Sequence, residues 1–361
     1  MLNVLYLINF AGKAGTEKYV YNLIEKYHEK TAKCFMVYNV EGPLCEQVKA
    51  LGITPKQITM KNPFDLKAAK ALAKYCRENR IDVIHAQYPR ENYIALLAKR
   101  YYKSVKVVYT SHLTISTGAV WRITNKLMTP KNHKIISVCN YGKELLIGNG
   151  FPEEKIEVIF NGVRPTEIKE PAQGFKASLG VDDDTFILSI LARYEESKGL
   201  DFLVESIARL KEITDKKFVL LIAGDGVLFE QIGELIKEKG LSDNIKQLGF
   251  RRDSADILAV SDLYINSSKC LEALSFAMVE ALLNGLPIVA TNRGGNADII
   301  SPANDCGALI EYGDTEAMAE AMKEFMEDSE KRDRAGRNAR RAAEEVFNLD
   351  KLLDYTFTLY N

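Results

Sequence analysis

The sequence predicts an α/β protein of two doubly wound parallel-sheet domains in tandem. Three observations point there. The chain has 361 residues, too many for one ordinary core and suited to two. Short β-rich runs alternate with helical patterns, as in a parallel sheet covered on both faces. The alternation pauses at "FNGVRPTEIKEPAQG" (160–174), which holds two Pro and two Gly with little periodicity, and then resumes.

In order, "NVLYLIN" (3–9) reads as the first strand, followed by an amphipathic run from Thr16. "KCFMVY", "IDVIHAQ", "VKVVYTSH", "HKIISVC" and "KIEVIF" are further strands. "DLKAAKALAKYCRENR" and "ENYIALLAKRYY" are helices between them. After the pause come "TFILSILA", "KKFVLLIAG", "NIKQLGF", "SDLYINSS", "LPIVAT" and "GALIEY", again with helices between. The tail from Ser329 reads as one or two helices. The expected domains are 1–163 and 164–346, with 347–361 a C-terminal helix packing back on the first domain. Open parallel sheets bind ligands outside the carboxyl ends of their strands, and two such sheets facing each other make a cleft.

Composition narrows the classes. Apolar residues make up 47% and charged residues 27%, a globular balance, and no apolar run reaches the roughly 18 residues of a membrane helix. "MLNVLYLINF" lacks a positive leader and a cleavage site, so it reads as a buried strand rather than a signal peptide. The six Cys form no C-x-x-C pair, which disfavours a disulfide or metal framework and points to a reducing cytoplasm. The four His show no ligand spacing. The net charge of −1 hides an asymmetry. Residues 1–180 carry 27 Lys and Arg against 15 Asp and Glu; residues 181–361 carry 21 against 34. A basic first half suits an anionic partner.

Three constellations lie just after strands. In "NFAGKAGTEKYVYNL", Gly12-x-x-Gly15 ends a strand and Thr16 can cap the next helix. Such a loop lets backbone N–H groups approach a phosphate or sugar hydroxyl, or is a plain strand-to-helix turn. It lacks G-x-G-x-x-G spacing, which disfavours a dehydrogenase. In "LARYEESKGLDF", Arg193 follows a strand and Lys198 comes five residues later, just before Gly199 and a new helix, where they could hold a diphosphate or stand as solvated loop cations. In "CLEALSFAMVEALLNG", Glu272 and Glu280 lie among apolar residues. At about 100° per residue their spacing leaves an offset of roughly 80°, so one helix would not stack them. Ser275 as an N-cap resolves this: Glu272 falls in the loop, Phe276 opens the helix, and Glu280 sits in its second turn. Helix N–H groups and two carboxylates suit a nucleotide sugar; otherwise Glu280 merely faces solvent.

These motifs together resemble a family 4 glycosyltransferase, and nearly the whole chain fits. Glu272 and Glu280 with "NGLPIVAT" resemble the family signature, "LARYEESKG" its diphosphate clamp, "VIFNGV" its interdomain segment, "LIAGDGVLFEQI" and "IKQLGF" its base-binding loops, and "GGNADII" its Gly-Gly loop. The resemblance implies the GT-B fold, two Rossmann-like domains facing a cleft. It implies retention of anomeric configuration without a metal or cofactor. Arg193 and Lys198 would bind the donor diphosphate, Glu280 the ribose and Glu272 the donor sugar. Ser275 and Phe276 would offer N–H groups to phosphate, and Gly249 would lie against the base. His112, in "TSHLT", would bind the transferred sugar, and Gly15 would crowd the diphosphate or acceptor. Ala192, Arg164, Asp298 and Gln87 depart from the family pattern, and Asp298 bears on sugar selectivity. No Asp-x-Asp motif stands at the expected sheet end, since "DDD" at 182–184 precedes a strand.

The expected activity is transfer of a hexose from a nucleotide sugar, a UDP-sugar first, to a lipid-linked or cell-surface glycan in bacterial polysaccharide or glycolipid biosynthesis. A nucleotide-sugar epimerase on the same fold and a non-catalytic nucleotide-sugar-binding scaffold are the alternatives. Residues 88–134 hold nine Lys and Arg against one Glu, interleaved with Tyr88, Tyr93, Tyr101, Tyr102, Tyr109 and Trp121. That mixture suits an anionic membrane surface, hence a cytoplasmic protein peripheral on the inner face of the membrane; the alternative is a solvated basic face. Nucleic acid is not expected, because no recognised binding module accompanies the charge.

Overall fold

The computed structural model describes residues 1–361 except 13, 113–114, 166–170 and 172–173. The middle of the expected linker, Lys13 of the first loop and the last two residues of "TSHLT" therefore lie outside the described residues. Internal contacts divide the chain into two units: Met1–Asn161 with Asp350–Asn361, and Gly162–Leu349.

The first unit holds seven strands: β1 (Leu2–Phe10), β2 (Ala32–Val40), β3 (Lys56–Gln57), β4 (Val83–Ala86), β5 (Lys106–Ser111), β6 (Lys134–Ser137) and β7 (Ile156–Val158). Their order is β3-β2-β1-β4-β5-β6-β7, with every pairing parallel. Val4 through Ile8 are fully buried, as a central strand covered on both faces requires. β3 went unread in the sequence because its two residues are exposed and carry no pattern. The helix Leu66–Glu78 starts where Asp65 accepts from the Ala68 amide at 3.0 Å.

One expected cap is corrected. The first helix runs Gly15–Tyr27, its N-cap is Ala14 without a side-chain bond, and Thr16 lies inside the first turn. The helix begins two residues earlier than that cap requires.

The last helix, Leu349–Thr358, is tied into this unit by polar contacts. Tyr27 donates to Asp354 at 2.5 Å, and Lys26 pairs with Asp354 at 2.9 Å. Beyond it the Tyr360 hydroxyl sits 2.7 Å from Nδ1 of buried His85, whose Nε2 lies 2.7 Å from Thr110.

The second unit holds β8 (Phe186–Leu191), β9 (Phe218–Ala223), β10 (Ile245–Gly249), β11 (Leu263–Asn266), β12 (Ile288–Thr291) and β13 (Gly307–Ile310). Their order is β10-β9-β8-β11-β12-β13, again all parallel. Leu188, Leu220 and Ile265 pack one core with Leu203, Ile207 and Met322. Ile187, Val219 and Leu221, on the other face of the same strands, pack a second with Val181 and Ile257. Both faces are thus covered, and the strands carry near-continuous apolar runs. The tail forms two helices, Ser329–Glu345 and Leu349–Thr358, with Val163 bridged to Asn348 between them. Among the described residues, no helix is long and apolar enough to cross a membrane.

Candidate active site

The ends of β8 and β11 in the second unit bring several expected residues together. β8 leads through Arg193 into a short turn, Glu196–Lys198, and then the helix Leu200–Ile213. β11 leads into Ser267, Ser268 and the Glu272 loop. The two loops are laced by backbone: the Lys269 amide donates to the Ser197 carbonyl at 2.9 Å, and Ser267 Oγ to the Lys198 carbonyl at 2.8 Å. Gly199 has φ +59°, and a Cβ there would lie 2.3 Å from the Ser267 carbonyl oxygen, so only glycine fits this turn.

This lacing joins Lys198 to Glu272. The Lys198 ammonium donates to Glu272 Oε1, and the same oxygen accepts from Ser268 Oγ at 2.6 Å. The two side chains keep 23% and 17% of their exposure, so the pair remains partly accessible to a ligand. The Glu272 backbone is pinned by a bridge to Gly294 and by the Gly295 amide, which donates to its carbonyl at 2.8 Å. A buried amide and hydroxyl set stands behind the loop. Asn266 Oδ1 accepts from the Ser268 amide and from Asn296 Nδ2, each at 3.2 Å, and Thr291 donates to the Ser268 carbonyl at 2.7 Å.

The helix after this loop is Phe276–Leu283, and Ser275 caps it, accepting from the Met278 amide at 3.4 Å. Glu272 therefore lies in a loop and Glu280 in the second helical turn. Both carboxylates bear on one buried group: burial raises the pKa of the Tyr264 hydroxyl, and the charges of Glu280 and Glu272 raise it further. That hydroxyl accepts from the Leu191 amide at 3.2 Å, which places it at the end of β8.

Arg193 differs from Lys198. Its side chain is 71% exposed and pairs with Glu195 at 2.7 Å. It lines a cavity of about 450 Å³ at the ends of β8, β9 and β10, together with Ala192, Gly224, Asp225, Phe250 and Arg251. Gly249 ends β10 beside this cavity, and its carbonyl accepts from the Gly224 amide at 2.8 Å. Phe250 is 72% exposed, an aromatic face offered at the cavity wall. Among the described residues, no group of three or more His, Cys, Asp or Glu is placed to hold a metal ion.

In the first unit, Gly12 follows β1 and Gly15 opens the first helix. His112 follows β5. Its Nε2 lies 2.9 Å from Oε1 of buried Gln87, and its ring meets Tyr19 edge-on at 5.1 Å. Bonding to that carbonyl oxygen makes Nε2 the protonated nitrogen, leaving Nδ1 the acceptor. Burial lowers the His112 pKa to about 3, so the ring is neutral at pH 7.

Sequence reasoning missed Ser268 and the Asn266–Asn296–Thr291 set, because Ser and Asn in apolar runs carry no spacing signal. Gln87 was visible only as a departure from the family pattern. Phe250, an aromatic directly after a turn glycine in "IKQLGF", was the more readable signal.

Residues 173–342 match the family model described as Glycosyl transferases group 1, and residues 14–167 match Glycosyltransferase Family 4. The N-acetyl-alpha-D-glucosaminyl L-malate synthase of Bacillus anthracis is 28% identical over 312 residues, covering 82% of this chain and 79% of that protein. The N-acetylgalactosamine-N,N'-diacetylbacillosaminyl-diphospho-undecaprenol 4-alpha-N-acetylgalactosaminyltransferase of Campylobacter jejuni is 28% identical over 302 residues, 81% of this chain and 79% of that one. Among solved structures, an Anabaena protein in complex with UDP superposes with a TM-score of 0.85 at 20% identity, covering 99% of both chains. A glycosyltransferase from Rickettsia africae gives 0.86 at 22% identity, over 99% and 98%. The two-sheet architecture is the GT-B fold.

Proposed function

Because the chain belongs to glycosyltransferase family 4, we propose that it transfers a hexose from a nucleotide sugar, a UDP-sugar first, with retention of anomeric configuration and without a metal. The second unit takes the donor and the first unit the acceptor. The observation that carries this reading is the meeting of Lys198 and Glu272 beside a Ser275-capped helix whose second turn carries Glu280. Helix N-termini and fixed cations hold diphosphates; carboxylates hold sugar hydroxyls. Phe276 stands at the helix start to offer its N–H to phosphate, and Gly249 and Phe250 flank the cavity suited to a base.

Glu280 is assigned to the ribose and Glu272 to the donor sugar. Arg193 and Lys198 stabilise the departing diphosphate, a task worth roughly 3 kcal/mol per well-placed donor. Lys198 is held by Glu272 in this structure, so an arriving phosphate competes for that ammonium. The acceptor hydroxyl attacks C1 on the face from which the diphosphate leaves. The C1–phosphate bond breaks with its electron pair on the phosphate oxygen, which takes the hydroxyl proton. His112 is assigned to the transferred sugar, as a neutral hydrogen-bonding ring, and Gly12 and Gly15 to the diphosphate or acceptor.

The acceptor is a lipid-linked glycan, and the first unit rests on an anionic membrane surface. The helix Ala119–Met128 supports this, exposing Val120, Ile123 and Leu127 along one face beside Arg122 and Lys126. The Campylobacter relative's name specifies a diphospho-undecaprenol acceptor.

Transfer is tested by incubation with UDP-hexoses and a prenyl-diphosphate-linked sugar in excess chelator, with the product anomer read by NMR. An α-product from an α-donor is expected; a β-product overturns the retaining mechanism. Co-sedimentation with anionic vesicles at low salt tests the membrane contact, and its absence there removes that part.

A further inference from the structure

Beneath the exposed helix Ala119–Met128 the first unit has a cavity of about 310 Å³. Four rings wall it: Tyr93, Tyr109, Trp121 and Phe151. Its volume lies at the small end of ligand pockets, enough for part of a larger molecule.

Several polar groups on its wall are already bonded to one another. Tyr93 donates to Asn125 Oδ1, and Asn125 Nδ2 donates to the Asn149 carbonyl at 2.8 Å. Asn149 Oδ1 accepts from the Thr117 amide and hydroxyl at 2.8 and 2.9 Å, while its Nδ2 donates to the Ile115 carbonyl at 2.7 Å. A sugar entering here would lose its water hydrogen bonds with little in return, a cost of about 1–3 kcal/mol per hydroxyl. An apolar chain would lose nothing.

The surroundings define what that chain carries. Arg90 lines the cavity and uses Nε on buried Glu91 at 2.9 Å, with its side chain 26% exposed. From Asn92 through Lys143 the chain holds nine Lys and Arg and no Asp or Glu. The covering helix buries only Asn125 and turns Trp121 inward against Phe64 and Tyr93, while Val120, Ile123 and Leu127 point outward. Ile115, 66% exposed, stands at the cavity and continues that apolar surface. The cavity is also one residue from His112, through Ser111.

From these features we infer that the cavity is a subsite for the phosphate-proximal end of a prenyl chain, with the attached diphosphate met by Arg90 and the neighbouring cations. It rests on the lipid-linked acceptor reading given above. An apolar wall, a guanidinium at its edge and an excess of cations in the surrounding sequence are complementary to a prenyl diphosphate and to neither a free sugar nor a free phosphate.

Trp121 is the only tryptophan in the chain and lines the cavity, so its fluorescence reports occupancy directly. The full-length protein is titrated with farnesyl diphosphate, farnesol and inorganic diphosphate. Saturable responses to the first two, with none to diphosphate alone, are expected. Ile115→Glu places a charge at the mouth without disturbing a buried residue and should weaken farnesyl diphosphate by about tenfold or more. No response to farnesyl diphosphate, an equal response to inorganic diphosphate, or unchanged affinity in Ile115→Glu overturns the inference. Thermal stabilisation by nucleotide sugars is measured on the same samples. If they stabilise while farnesyl diphosphate does not bind, the subsite falls alone; if none stabilises, the donor reading falls whatever the prenyl result.

Discussion

Replacing Lys198 with Ala separates a structural from a catalytic role. The ammonium bonds Glu272 Oε1, and both side chains are mostly buried. Removing it leaves the carboxylate with the Ser268 hydroxyl at 2.6 Å. An incompletely satisfied, partly buried carboxylate costs about 1–3 kcal/mol, a loss of roughly 2–4 °C in Tm per kcal/mol for a unit of this size. Losing a donor to the leaving diphosphate should cut turnover by about 100- to 1,000-fold. The double variant Lys198→Met with Glu272→Gln removes both charges, so it should regain most of the lost stability but none of the turnover. Thermal melts and initial rates on the three proteins give both readouts. Turnover of Lys198→Ala within about threefold of wild type, or turnover regained with stability in the double variant, would refute the assignment.

Other outcomes follow from the same geometry. Arg193→Ala removes an exposed side chain, so Tm should hold within about half a kcal/mol equivalent while turnover falls by about 100-fold. Gly294→Ala adds a Cβ 2.2 Å from the Glu272 carbonyl oxygen at φ +59°, so it should cost more than about 1 kcal/mol in urea unfolding and raise donor KM. Burial depresses the pKa of both His85 and His112 to about 3, so the unfolded chain binds more protons between pH 6.5 and 3 and stability falls as pH drops through that window. From pH 7 to 5.5 each should cost about 1 kcal/mol; His112→Asn should remove one such share, read by Trp121 fluorescence in urea. Gln87→Glu should raise the His112 pKa and add an acidic limb to the pH–rate profile, which Gln87→Leu should not.

The alternation of strands and helices was legible because both faces of each sheet are covered, which forces near-continuous apolar runs such as Val4–Ile8. Two-residue β3 left no such trace. The break before Phe276 was legible because Ser is a chemically distinct cap in an apolar stretch. The cap at Thr16 was misread: a hydroxyl near a helix start signals a cap without fixing its register, and the helix starts at Gly15. Lys198 and Glu272 are 74 residues apart, and no spacing rule joins them; adjacency of β8 and β11 does. Gln87 and His112 likewise meet because β4 and β5 pair. Periodicity reports burial, whereas side-chain partnership across strands depends on sheet order.

The most direct test is thermal denaturation of wild type, Glu280→Ala and Lys198→Ala against a panel of UDP-, GDP- and ADP-sugars. If the second unit holds the donor, one nucleotide sugar should stabilise wild type by about 2.7 kcal/mol at 100 times its Kd, and each variant far less. No stabilisation of wild type by any member of the panel, or equal stabilisation of all three proteins, would contradict it.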